Sequence, residues 1–168
     1  MRGWGALLLA VLVVLLLRST ALATLAARGV AFDVLAFAVA VWAMRQGETR
    51  GTLFGFLLGL AADLDAAHWM GRHALVLALL GYVIGRLSHT LVRDRARTQW
   101  VVLFSVTLVH QIWTLAFEAG RAGGVGYLVQ RPMVAAIATA LAGTLVLGLM
   151  RRAGGRPLFG HADYRPGA

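Results

Sequence analysis

Apolar residues along this chain come in long runs separated by short polar breaks, rather than in the three-to-four-residue rhythm of a soluble amphipathic helix. Six runs approach the ~20 residues that carry a helix across a bilayer: residues 4–25, 30–44, 51–67, 74–92, 100–117 and 133–150. The second is short, and the third carries Asp63 and Asp65. The breaks at 45–50 and 93–99 are rich in arginine, the one at 118–132 is rich in glycine, and none has the length of a second domain. The pattern predicts an all-α membrane protein: one six-transmembrane-helix bundle over residues 1–150 and a basic tail over 151–168.

Composition sharpens this. Of 168 residues, 60% are hydrophobic and 14% charged, against roughly 45–50% and about 25% in soluble chains. So small a chain has no interior able to hide that much apolar surface, so lipid must cover most of it. There is no cysteine, which excludes disulfides, thiolate metal sites, a cysteine nucleophile and cysteine lipidation. The net charge of +9 comes entirely from arginine on the basic side, and in a membrane protein it reports orientation before any nucleic-acid partner. With the amino terminus cytoplasmic, ten arginines fall in inner segments (2, 45, 50, 93, 95, 97, 151, 152, 156, 165) and four in outer ones (28, 72, 121, 131). Both termini are therefore expected inside. A cleavable signal sequence competes for the first run, since Met1-Arg2 precedes it and Ala21-Leu-Ala23 has the form of a cleavage site; Arg18, between the two, argues against it.

Chemistry-bearing residues are few. Gly51, Gly55 and Gly59 recur at every fourth position of the third run, and Gly81 and Gly85 repeat the spacing in the fourth. Such a face admits a second helix at close range, within the monomer or in a homodimer or partner interface. Charges inside the apolar runs cost ~2.5–3.5 kcal/mol each and belong in an interior; Arg18, Asp33, Asp63 and Arg86 qualify, with Arg86 near enough to the basic break to snorkel. Thr107, His110, Gln111, Thr114 and Glu118 form a polar stripe down one face of the fifth run. The stripe suits helix-fixing hydrogen bonds, a small-molecule pocket or a partner contact. Arg18 is expected to pair with Asp63 or Asp33 at similar depth. Asp63, Asp65, His68 and His73 lack the i, i+4 spacing of helical zinc sites, so no metal or other cofactor is expected. No nucleophile elbow, phosphate loop or H-E-x-x-H motif is present, and Ser88-His89 and Ser105 with His110 form no nucleophile and base pair.

Residues 30–86 resemble the bacterial rod shape-determining MreD family. The marks run in order: Asp33 leading into Val34-Leu-Ala-Phe-Ala-Val-Ala-Val-Trp-Ala-Met44, then Arg50-Gly-Thr-Leu-Phe-Gly-Phe-Leu-Leu-Gly-Leu60, Asp63-Leu64, Met70-Gly71, and Gly81-Tyr82-Val-Ile-Gly85-Arg86. Phe32 stands where the family often has proline, and Asp65-Ala-Ala-His-Trp69 replaces its usual small polar residues. The family-motif positions are Asp33, Gly59, Asp63, Gly71, Tyr82, Gly85 and Arg86. The resemblance implies a non-enzymatic scaffold subunit of the cell-elongation and peptidoglycan synthesis machinery in the cytoplasmic membrane. It implies binding to MreC, and through it to the MreB filament and the peptidoglycan glycosyltransferase and transpeptidase pair. The family fold is similar to the substrate-binding subunits of energy-coupling-factor transporters, which supplies the alternative of a small-solute-binding membrane subunit.

Overall fold

The computed structural model of the chain describes residues 2–22, 32–66, 70–90, 95–118 and 125–154. These residues form six α-helices: α1 (Arg2–Leu17), α2 (Val34–Gln46), α3 (Glu48–Ala66), α4 (Arg72–Leu87), α5 (Ala96–Glu118) and α6 (Val125–Gly154). Arg18–Leu22 extends α1 as a turn of π-helix. Its hydroxyls turn back on the chain, Ser19 and Thr20 both donating to the carbonyl of Leu16 at 3.1 and 2.6 Å. Thr52, Thr114 and Thr144 likewise donate to carbonyls one turn earlier in their helices. A hydroxyl that bonds its own helix can face hydrocarbon without leaving a polar group bare.

Four helix boundaries differ from the sequence expectation. Asp33 lies outside α2 and caps it, its carboxylate accepting from the backbone N–H of Ala36 at 3.0 Å, so the helix begins at Val34 rather than at residue 30. The basic break at 45–50 reduces to Gly47, whose φ of 83° ends α2 while its own N–H bonds the Ala43 carbonyl. Glycine takes that conformation without a Cβ penalty, so α3 restarts at once from Glu48. The fourth helix ends at Leu87, where the hydroxyl of buried Ser88 donates to the Gly85 carbonyl. The sixth begins at Val125 and carries Pro132 inside it, taking helix from what polarity and glycine marked as a break.

The tightest pair is α3 against α4, followed by α5 against α6, and α2 touches every other helix. Leu35, Ala36, Val39, Ala40, Ala43 and Met44 are all buried, covering more than one side of α2. Trp42 stacks on Phe54 of α3 with ring centroids 4.7 Å apart. Phe54, Leu58, Leu77 and Leu103 complete the centre. By contrast Leu8, Leu9 and Leu12 of α1 and Leu141, Leu145 and Leu149 of α6 are more than half exposed.

Among the described residues two helices are long and apolar enough to cross a membrane, over Ala96–Phe117 and Gln130–Ala153. The 13 residues of α2 reach only ~20 Å at the ~1.5 Å rise of a helix.

Candidate functional site: a buried aspartate and histidine cluster

Glycine brings α3 and α4 together. A Cβ on Gly59 would lie 2.5 Å from Ala74 Cα, and one on Gly51 would lie 2.7 Å from the Gly81 carbonyl oxygen. A Cβ on Gly55 would strike the Leu77 carbonyl, one on Gly81 the Gly51 carbonyl, and one on Gly85 the Glu48 backbone. Backbone meets backbone, which no larger residue permits. All five glycines are spent on contacts within one chain. At the same end of α4 as Gly85, exposed Arg86 reaches Glu48 Oε2 at 3.4 Å.

At the other end of this pair the chain turns through Gly71, with φ of 98°, and places the start of α4 over Asp63. Oδ2 of Asp63 accepts from the backbone N–H groups of Gly71 and Ala74, both at 3.0 Å. Oδ1 accepts from the backbone N–H of His73 at 3.1 Å and from its ring Nδ1 at 2.8 Å. A fully buried carboxylate thus sits on the positive end of a helix and satisfies donors that no intrahelical carbonyl can reach.

Asp33 gathers the remaining helices. Its Oδ2 accepts from His110 Nδ1 at 2.6 Å and from Gln111 Nε2 at 2.9 Å, and its backbone N–H donates to Thr139 Oγ1 on α6 at 2.9 Å. The His73 and His110 rings lie 5.6 Å apart at 57°, so the two aspartate–histidine pairs form one cluster spanning α2 to α6. An ionised carboxylate only accepts, which assigns a proton to Nδ1 of both rings. His110 Nε2 and Thr107 Oγ1, one turn apart on α5, are buried with no hydrogen-bond partner among the described residues. Trp113 Nε1 donates to the Arg72 carbonyl at 3.0 Å and pins α5 to the start of α4.

Helix-start amides, imidazoles and Gln111, rather than the expected Arg18, donate these hydrogen bonds to the two carboxylates. Thr139 escaped the sequence reading, and His73 entered it only as a rejected metal ligand. His73 is ten residues from Asp63 and off any shared helix face, and only the return through Gly71 makes them neighbours. Gly71 followed by a fresh apolar run was the available signal. His68 and the side chains of Asp65 and Glu118 fall outside the description. Among the described residues no group of three or more histidine, cysteine or acidic side chains is arranged to hold a metal ion.

A cysteine-free chain of packed apolar helices, with its few buried charges spent on holding helix ends together, has the build of an integral membrane protein. The family model described as rod shape-determining protein MreD matches residues 2–151, and the chain belongs to that family. It is accordingly a membrane component of bacterial rod-shape determination. Neither the curated proteins nor the solved structures provide a significant match.

Proposed function

We propose that the protein is a non-enzymatic scaffold subunit of the cell-elongation machinery, crossing the cytoplasmic membrane six times with both termini cytoplasmic and receiving MreC on an exposed helix face. One observation carries the reading: the polar and glycine devices face inward, while the apolar faces of α1 and α6 are left uncovered. In lipid, neighbouring subunits find such faces by packing. The short α2 suits this topology because other helices surround it on several sides, so protein rather than hydrocarbon covers most of it. Possible homodimers would use the same outer faces, since the glycine faces are filled. The stripe of α5 supports packing over solute binding: His110 and Gln111 are bound to Asp33, and Thr114 is bound to the His110 carbonyl.

The test is purification from membranes in mild detergent. A single-span protein with a coiled coil should co-purify, and substitution of Leu141 and Leu145 by alanine, or of Leu9 and Leu12, should release it without lowering the amount of the chain. A defined small solute co-purifying in its place would transfer the assignment to the transporter-like alternative.

A further inference from the structure

Helices α4 and α5 are consecutive, yet they touch along little of their length. Between them runs a groove of about 490 Å³, apolar along Leu80 and Leu87 of α4 and Val102 and Val109 of α5, with Arg97 and Thr98 at one end. We propose that this groove holds one hydrocarbon chain of an anionic phospholipid, with the phosphate seated on Arg97 and Thr98.

Shape and charge both favour this occupant. The groove follows α5 from Arg97 to Val109, twelve residues or ~18 Å at the helical rise. Its apolar walls and single basic end match a hydrocarbon chain that carries an anionic head. The polar end is the first turn of α5, which crosses the length of a bilayer and so puts Arg97 at headgroup level. There the guanidinium meets a phosphate in a matching two-pronged geometry, and the positive end of the helix dipole adds to it. Arg95, exposed just before α5, adds a second positive charge, so the surroundings also favour an anion. Arg86, the nearest arginine on α4, is engaged with Glu48, leaving the α5 side to bind.

The inference needs only that α5 cross the membrane and is independent of MreC binding. Native mass spectrometry of the full chain from mild detergent, titrated with phosphatidylglycerol and with phosphatidylcholine of the same chains, reads it directly. Wild type should retain phosphatidylglycerol preferentially. Arg97→Gln should lower that retention about fivefold, the effect of one arginine at an anionic surface, and leave phosphatidylcholine unchanged. Val101→Trp fills the groove from an exposed position and should reduce both lipids at unchanged melting temperature. Equal retention of the two lipids by wild type, or no change in Arg97→Gln, overturns the proposal. So does crosslinking of Val101→Cys in cells to a protein segment and not to a photoactivatable phospholipid. Association with MreC, followed on the same variants, tests the scaffold reading separately.

Discussion

Asp63 shows how a single side chain closes a helical hairpin. Its two oxygens take four N–H groups, two each, so the charge is used to its full hydrogen-bonding capacity in a place where water cannot substitute. Asparagine is nearly the same size but turns one acceptor into a donor, setting an NH2 against two N–H groups. Asp63→Asn should therefore destabilise the protein by about 1.5–3 kcal/mol, the range for hydrogen bonds to charged groups, measured as a lower melting temperature in detergent. Adding Arg18→Gln should restore nothing, because four N–H groups already occupy this carboxylate; partial recovery in the double variant would place Arg18 in the cluster. That Asp33 and Asp63 would lie inside was legible from the cost of charge in lipid. Their partners were not, because an imidazole on another helix leaves no mark in local spacing.

Between helices, the repeat at 51, 55 and 59 and its echo at 81 and 85 was the clearest sequence signal, since a period of four on two neighbouring runs can face only one way on each. What the spacing left open was whether the partner belongs to the same chain, and the backbone approaches at Gly55 and Gly81 answer that for α3 and α4. Gly55→Leu should cost more than the ~1–3 kcal/mol usual for overpacking, because the obstacle is the Leu77 carbonyl and not a yielding side chain. The expected result is loss of the protein from the membrane on immunoblots. Gly148→Leu is the matched control: a Cβ there meets nothing within 4 Å, so abundance should be unchanged. Helix ends were less legible than helix faces. A lone Gly47 separates α2 from α3 where polarity suggested a loop, and Pro132 sits within α6, because tertiary packing can continue a helix through residues that composition marks as a stop.

For the whole molecule, the arginine split predicts orientation independently of any contact. Reporter fusions after Gln46, Ala96 and Gly160 should all read as cytoplasmic, and a periplasmic signal at any of them would remove one crossing from the proposed six. The all-helical class was legible from runs of apolar residues alone, whereas the pairing within the cluster that ties the bundle together was not, since it joins residues of four helices and the cap of a fifth. That spread also sets a clock. Asp33 bonds His110 and Thr139, which lie 77 and 106 residues further along the chain. At the ~5–20 residues per second of protein synthesis, the aspartate waits about 5–20 s for Thr139 to be made. For about the first 4–15 s of that wait the carboxylate has no imidazole, since His110 is 77 residues away, and α6 joins α2 only at its end. The chain is thus committed only when its last helix arrives: a version truncated after Ser88 should be degraded quickly in pulse-chase labelling, and co-expressed residues 95–168 should slow that loss by supplying the missing partners in trans.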